Sequence, residues 1–211
     1  MFVGRERETQ RIIKALMNGH NIVIEGKFGI GRTSLVRHVS SLIMDQWQFI
    51  FVDFSHTPGK MSEKLMKELH IPKMNKQTGK QWGYKSRRYR IANMAMPQGK
   101  KTVIVFDNIA KITPQKTVFL RHLILEKRFQ FIIIVEHVLS ENDLFFLKAQ
   151  LLPTATVSLH NLHGEDIINY LRYLSNRHHW NWPETHIISM AALTGGYPLG
   201  MIEMMRKKIP G

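Results

Sequence analysis

The apolar residues of this chain fall into short continuous runs, separated by stretches in which apolar residues recur at helical spacing. A short continuous apolar run is typical of a strand buried on both faces. The runs alternate with predicted helices, so we expect an α/β fold with a parallel sheet flanked by helices. The predicted strands are Asn21–Glu25, Phe49–Phe54, Thr102–Phe106, Phe129–Val135 and Thr156–Leu159.

Helices are predicted between these strands and after the last of them. A polar stretch from Pro72 to about Tyr84 is expected to be a connection without regular structure. The final three helices follow one another without a strand, which predicts two units: an α/β domain over 1–160 and a small helical lid over 161–211. The predicted helices are 6–18, Thr33–Met44, Ser62–Leu69, Pro114–Glu126, Gly164–Asn176, Trp182–Leu193 and Leu199–Lys208.

A glycine-rich segment from Gly26 to Ser34 joins the first predicted strand to the helix that follows it. Its spacing is that of a phosphate-binding P-loop. Glycines let the backbone turn tightly and aim its N–H groups at phosphate oxygens, and the helix adds its positive end. A tight turn without a ligand is the alternative. We predict ATP binding by Gly26, Gly29, Ile30, Gly31, Arg32, Thr33 and Ser34, with the Thr33 hydroxyl on Mg²⁺.

A carboxylate follows the most apolar of the predicted strands. Asp107 comes directly after Thr102–Phe106, at the carboxyl end of a buried strand, where ligands collect in open parallel sheets. We predict that Asp107 holds Mg²⁺ through water. The alternative is a strand end closed by a turn-forming Asp-Asn pair.

Two residues depart from the pattern of an efficient ATPase. Arg32 stands where a P-loop has lysine, and its longer, planar head group is not equivalent at a tightly shaped site. Asn108 follows Asp107, and an amide can orient a water molecule but cannot accept its proton. We therefore assign Arg32, Asp107 and Asn108 to the candidate catalytic centre and expect binding to be retained better than hydrolysis.

With these motifs the chain resembles the AAA+ superfamily over nearly its whole length, in the branch of replication initiators, transposition-regulator ATPases and STAND signalling ATPases. Phe2-Val3-Gly4-Arg5-Glu6 is similar to the opening box of that branch, and Gly195-Gly196-Tyr197-Pro198-Leu199 is similar to its lid motif. The resemblance implies that Phe2 and Val3 contact the adenine, that Pro198 lies near the nucleotide, and that ATP joins neighbouring copies in a homo-oligomer.

The same resemblance does not decide which residue occupies one of the family's positions. The family's polar residue after the fourth strand would be Glu136 or His137, and spacing does not choose between them or exclude a plain strand end. No arginine matches the family's lid position, and Pro198 stands in that neighbourhood instead, as in the STAND-like pattern.

The charge is strongly positive, with 30 Lys and Arg against 16 Asp and Glu. Such a surplus attracts polyanions, although a solvated basic surface is the alternative. Twelve of the cations and only two acidic residues lie between Lys60 and Lys101, together with Trp82, Tyr84 and Tyr89. Cations mixed with aromatic rings can grip phosphates and stack on bases. We predict DNA binding by Lys80, Lys85, Arg87, Arg88 and Arg90.

A different interpretation of that segment is a solvated connection whose aromatic rings pack on the core. In the transposition-regulator ATPases that the chain resembles, the corresponding region lines the DNA channel. The first functional hypothesis is therefore an ATPase that assembles on DNA with ATP and regulates or recruits a protein partner in transposition or replication. The second is a STAND-like switch that binds nucleotide and not DNA, and the third is a degenerate ATPase with a structural role.

Composition limits the kinds of site that the chain can form and the cellular compartment that we expect for it. The chain has no cysteine, which excludes disulfides and thiolate metal sites, and its 11 histidines are scattered apart from the pair His178-His179. No apolar run is long enough to span a membrane, and the charged first residues are unlike a secretion signal. We expect a soluble, cytoplasmic protein that does not bind membranes.

Overall fold

The computed structural model describes residues 4–75, 77–94 and 99–206. Its strands form one parallel sheet in the order β2-β3-β4-β1-β5, with helices on both faces. The α/β fold class predicted from the sequence is confirmed. The strands are β1 (Asn21–Gly26), β2 (Trp47–Asp53), β3 (Lys101–Ile109), β4 (Gln130–Val135) and β5 (Thr154–Leu159).

Helices connect these strands and continue after β5. The sequence pattern predicts most of them but not the fourth and the sixth, and residues 207 and 208 of the last predicted helix lie outside the described residues. The helices of the described ranges are α1 (Glu6–Met17), α2 (Arg32–Leu42), α3 (Pro58–Glu68), α4 (Tyr84–Asn93), α5 (Pro114–Leu125), α6 (Glu141–Gln150), α7 (Gly164–Arg177), α8 (Glu184–Thr194) and α9 (Pro198–Arg206).

The two missed helices bury very little apolar surface. Ile91 and Ala92 are the buried residues of α4, and Leu147 is the buried residue of α6. Neither helix therefore shows the repeated apolar spacing on which the prediction rested. A capping signal was present for α6, because the Ser140 side chain accepts a hydrogen bond from the Asp143 N–H at 3.1 Å.

Helix α3 starts earlier than predicted. The predicted start was Ser62, whereas the helix begins at Pro58. The Thr57 hydroxyl accepts a hydrogen bond from the Lys60 N–H at 3.4 Å. Proline suits the first helical position because its fixed φ matches the helix and its missing N–H would have no partner there.

Strand β3 extends further than its predicted end at Phe106. It runs to Ile109, and its register against β4 shifts between Phe106 and Ile109. Asn108 lies in this irregular part with a φ of 61°. Asp107 therefore lies at a local irregularity of the strand, which turns the backbone next to the carboxylate.

The central strands bury both faces, and successive residues point to opposite sides. On β3, Val103 and Val105 belong to the cluster that packs under α1 and α2. Ile104 and Phe106 belong to a second cluster that packs under α3, α5 and α6. The domain thus has three layers, with the sheet between two sets of helices.

Helices α7, α8 and α9 enclose a third apolar cluster of their own. Ile167, Leu171, Ile187, Met190 and Met201 are buried in it. A small helical unit therefore follows the sheet, while the boundary between 1–160 and 161–211 stays a prediction.

None of the helices in the described part of the chain is both long and apolar enough to cross a bilayer.

Phe106→Ala is expected to destabilise the fold by about 3–5 kcal/mol, because truncating a fully buried ring leaves a cavity. The Phe106 ring lies 6.2 Å from Phe131 and 5.3 Å from Phe54, centre to centre. Urea unfolding measures the loss. The control is Phe145→Ala, since the Phe145 side chain is 69% exposed. Equal losses in the two variants would contradict this description of the core.

Candidate functional site

The glycine-rich loop between β1 and α2 leaves backbone N–H groups free for an anion. Gly31 is the N-cap of α2, with a φ of 96° and no side chain to cap the helix. The first N–H groups of a helix have no acceptor within it, so those of Arg32, Thr33 and Ser34 depend on another partner. This cradle fits the phosphate groups of a nucleotide.

Ile30 contributes to the loop differently from its neighbours. Its side chain is 1% exposed and belongs to the core cluster under α1 and α2. Its N–H donates to the Lys27 carbonyl at 3.2 Å. Gly26 has a φ of 155°, and a Cβ there would lie 2.9 Å from the Ile30 Cγ2 atom. The buried isoleucine thus anchors the loop to the sheet.

The loop reaches the carboxyl end of β3 through a direct hydrogen bond. The Thr33 hydroxyl donates to Asp107 Oδ2 at 2.8 Å, and the Asn108 N–H donates to Asp107 Oδ1 at 2.9 Å. A hydroxyl and a carboxylate are oxygen ligands of the kind that Mg²⁺ prefers. The geometry therefore brings together the two residues predicted to hold the metal.

A second carboxylate lies at the same edge of the sheet. Asp53 ends β2 and pairs in register with Asp107. Burial raises the pKa of Asp53, but hydrogen bonds from Ser55 and Asn108 outweigh this effect and hold the pKa below its ordinary value. Asp53 is thus ionised at neutral pH, and it adds negative charge beside Asp107.

Arg32 does not project freely into the loop. Its Nη1 donates to the Val135 carbonyl at the end of β4. Its Nη2 lies 2.7 Å from both Glu136 Oε1 and Glu136 Oε2. The Arg32 side chain is 6% exposed, and that of Glu136 is 16% exposed. The P-loop cation is therefore neutralised by a carboxylate that the sequence offered only as an alternative to His137.

Glu136 and His137 face different surroundings. The backbone N–H of Glu136 donates to the Ile109 carbonyl at 2.9 Å, which fixes Glu136 at the junction of β3 and β4. His137 is exposed. Of the two residues that spacing could not separate, Glu136 is the one in contact with the P-loop.

A cleft of about 510 Å³ lies between the P-loop and the helical unit. Arg32, Thr33, Asn108 and Glu136 line its polar end. The opposite wall is mainly apolar, as suits a purine base, and Pro198 contributes to it from the first position of α9. Phe2 and Val3, predicted to contact the adenine, lie outside the described residues. The other residues of the apolar wall include Leu162, Tyr170, Leu199, Met201 and Ile202.

A hydrogen bond and a close packing contact join the helical unit to the P-loop. The Tyr197 hydroxyl donates to the Phe28 carbonyl at 2.6 Å. Gly29 has a φ of 73°, and a Cβ there would lie 2.6 Å from Leu199 Cβ and 2.7 Å from the Tyr197 hydroxyl oxygen. Close contact with α9 therefore explains why this position of the loop is glycine.

Arg5 joins the start of the chain to the same cleft. It is 6% exposed, and its guanidinium donates to Glu8 and to the His160 carbonyl. Gly4, with a φ of 67°, lies against Asp166 of α7, where an added Cβ would come within 2.7 Å of the carboxyl carbon. Of the opening box, Gly4 thus packs on α7, and Arg5 contacts the chain just before that helix.

The predicted DNA-binding residues differ in their exposure and in the contacts that they make within the protein. Lys80, Lys85 and Arg90 are exposed. The Arg87 side chain is 18% exposed and forms an ion pair with Glu63 at 2.9 Å. Arg88 is half-buried over the Tyr84 ring. Packing thus leaves three of the five cations open to a phosphate backbone.

The aromatic residues of this segment are not all available for stacking on bases. Trp82 and Tyr84 pack against the core, and the Arg90 guanidinium lies 3.5 Å from the centre of the Trp82 ring. Tyr89 is 64% exposed. For Trp82 and Tyr84 the geometry therefore agrees with the alternative in which the rings are tucked onto the core.

No group of three or more His, Asp and Glu side chains within the described ranges is arranged to hold a metal ion. The His178 ring stacks on Trp180, with 4.6 Å between ring centres. A magnesium site built from Thr33, Asp107 and phosphate oxygens does not need such a cluster, because Mg²⁺ usually takes one or two carboxylates together with phosphates and water.

Sequence reasoning missed Asp53, Tyr197 and the partner of Arg32. Asp53 could have been found, because it directly follows an apolar run, as Asp107 does. Nothing in the local pattern connects Arg32 with Glu136 or Tyr197 with Phe28, since each pair is distant along the chain.

No protein-family model and no curated protein sequence matches this chain. Solved structures do resemble it. Cdc6p from Pyrobaculum aerophilum superposes with a TM-score of 0.69 at 14% identity, over 93% of this chain and 59% of that one. The Aeropyrum pernix Orc1 protein in complex with DNA gives 0.69 at 14% identity, over 98% of this chain and 59% of that one.

The Thermotoga maritima RuvB Holliday junction branch migration motor superposes with a TM-score of 0.63 at 13% identity, over 97% of this chain and 61% of that one. These identities are low, so the likeness concerns the fold. The fold is that of the AAA+ P-loop NTPases. The chain spans about 60% of the length of each of these three proteins.

Gly29→Ala is expected to destabilise the contact between the P-loop and α9, because the added methyl group would overlap Leu199 and Tyr197. The control is Gly79→Ala, since Gly79 has a similar φ of 64° and no described atom within 4 Å of an added Cβ. The control should lose only about 1–2 kcal/mol for its left-handed backbone. Thermal and urea unfolding compare the two variants. A loss in Gly29→Ala no larger than in the control would show that the crowding is relieved without cost.

Proposed function

We propose that this protein binds ATP with Mg²⁺ in the cleft between the P-loop and the helical unit. The contact from Thr33 to Asp107 carries the proposal, because it joins a loop of free N–H groups to a strand-end carboxylate at hydrogen-bond distance. If the Asp-Asn pair merely closed the strand, its carboxylate would not need a hydrogen bond from a threonine hydroxyl of another element. The apolar wall of the cleft supports a purine base as the other half of the ligand.

Each residue of the polar end has a distinct task in this proposal. The N–H groups of the loop hold the phosphates, and Thr33 and Asp107 hold the metal, Asp107 through water. A metal bound there would neutralise negative charge on the phosphates. Asn108 orients a water molecule and leaves it protonated, so hydrolysis is slow.

We propose further that the protein assembles on DNA in an ATP-dependent way and regulates or recruits a partner in a DNA transaction such as transposition or replication. The exposed Lys80, Lys85 and Arg90 and the formal net charge of +14 support a polyanionic partner. The resemblance in fold to an Orc1 protein in complex with DNA and to a branch migration motor adds support.

A nucleotide-dependent signalling switch that does not bind DNA is the second candidate. The hydrogen bond from Tyr197 to the Phe28 carbonyl favours it, because this bond holds the helical unit against the P-loop. A switch of this class uses bound nucleotide to retain such a closed arrangement. DNA binding separates the two candidates.

Asp107→Asn should weaken the Mg²⁺-dependent affinity for ATP by about 10- to 100-fold, the usual effect of removing a group that orients metal-bound water. The introduced amide oxygen can still accept the Thr33 hydrogen bond, so thermal stability without nucleotide should change little. Calorimetric titration with ATP, with and without Mg²⁺, measures the effect. Asp143→Asn, in the first turn of α6, is the matched control. Unchanged affinity in Asp107→Asn would remove this residue from the metal site.

Replacing Lys85 and Arg90 with alanine should weaken binding to duplex DNA and flatten its salt dependence. Each lost phosphate contact lowers the slope of log affinity against log salt by about 0.9, so the expected change is up to about two. Fluorescence anisotropy with a labelled duplex measures both quantities. The control removes Arg7 and Lys14, a matching arginine and lysine on α1.

Sequence preference should be unaffected in the Lys85 and Arg90 variant, because phosphate contacts carry no base information. An unchanged slope would exclude Lys85 and Arg90 from the DNA surface. If the wild-type protein bound no DNA at low salt, with or without ATP, the signalling switch would become the better proposal.

A further inference from the structure

The cation of the P-loop is already paired with a carboxylate. Both oxygens of Glu136 accept hydrogen bonds from Arg32 Nη2 at 2.7 Å, and Arg32 Nη1 donates to the Val135 carbonyl. The pair is largely removed from water, since 6% of the Arg32 side chain and 16% of the Glu136 side chain are exposed. Charge-assisted hydrogen bonds of this kind are the stronger ones in proteins.

The pair lies inside the cleft rather than behind it. Arg32 and Glu136 both line the polar end of the cleft, next to Thr33. The basic residue at this position of a P-loop is the one that reaches the β- and γ-phosphates. Here the donors of Arg32 are directed at the end of β4. The carboxylate of Glu136, which is negatively charged like the phosphates, lies beside these donors.

Glu136 is also held firmly in this place. Its N–H donates to the Ile109 carbonyl at 2.9 Å, and its own carbonyl accepts from the Leu139 N–H at 3.1 Å. The backbone of Glu136 is thus fixed at the end of the sheet, whereas the Arg32 side chain is long and rotatable. The Arg32 backbone is also fixed, in α2, so an exchange of partners would be made by the side chains.

We propose that Glu136 competes with the terminal phosphate of the nucleotide for Arg32, and so sets how well the site distinguishes ATP from ADP. Without nucleotide, Glu136 holds Arg32 against β4. Binding of a triphosphate requires Arg32 to exchange the carboxylate for phosphate oxygens. A nucleotide that lacks the γ-phosphate offers fewer oxygens for that exchange. This inference rests on the proposed ATP site, and it makes Glu136 a specificity-determining residue.

Two consequences follow from the competition. Removing the charge of Glu136 frees Arg32, so ATP should bind more tightly. The gain should depend on Arg32, because it comes from the release of the guanidinium. Simple repulsion between Glu136 and the phosphates would also weaken binding, but its relief would not need Arg32 and would act on ADP as well. A double-mutant cycle separates these two effects.

The experiment measures the dissociation constants of ATP and ADP, with Mg²⁺, for the wild type, Glu136→Gln, Arg32→Ala and the double variant. We expect Glu136→Gln to tighten ATP binding about tenfold, which matches the weaker end of a charged hydrogen bond, and to tighten ADP binding less. In the Arg32→Ala background the same substitution should change ATP binding little. Glu136→Ala should act in the same direction as Glu136→Gln.

Glu184→Gln is the matched control, because Glu184 pairs with Arg172 on the helical unit, at exposed positions. It should leave both affinities unchanged. Thermal unfolding without nucleotide checks that each variant is folded. A gain of equal size in the Arg32→Ala background, or of equal size for ATP and ADP, would overturn the competition, and so would an unchanged ATP affinity in Glu136→Gln and Glu136→Ala. Failure of all four folded proteins to bind ATP would instead overturn the proposed nucleotide site.

Discussion

The candidate site depends on the place of β4 between β1 and β3 in the sheet. The P-loop leaves the end of β1, and its helix returns the chain towards β2, so the loop must pass over the end of β4. Arg32 therefore meets Val135 and Glu136 at β4, and Thr33 reaches Asp107 on β3. The polar end of the cleft follows from the strand order and the direction of the crossover.

The helical unit completes the cleft through a few close contacts. Gly4 and Gly29 lie where a side chain would collide with Asp166 and Leu199, so both approaches require glycine. The Tyr197 hydroxyl adds a hydrogen bond to the P-loop backbone. A ligand in the cleft would touch both units, so its binding is coupled to the position of the helices. This coupling is the physical basis on which either proposed function would use nucleotide as a switch.

Packing separates the described cations of the basic segment 60–101 into exposed cations and cations that are paired or partly buried. Lys85 and Arg90 stay exposed on α4, whereas Arg87 is paired with Glu63 and Arg88 is half-buried. Trp82 is covered by Arg90 and by the core, which removes it from any stacking role. The surface offered to a polyanion is thus smaller than the count of cations in the sequence, and it is dominated by charge rather than by aromatic rings.

The sequence by itself determined the strands, most of the helices and the P-loop, because neighbouring residues encode each of them. Apolar runs predict the strands, helical spacing predicts the helices, and glycines at fixed intervals predict the P-loop. It also singled out Asp107, since a carboxylate after an apolar run is a local signal, although β3 continues to Ile109. Helices α4 and α6 were not predicted because they bury too few residues to give a helical period of apolar residues in the sequence. The partner of Arg32 was decided only by the tertiary structure. Glu136 is 104 positions away along the chain, and only the adjacency of the strand ends brings its carboxylate to the guanidinium.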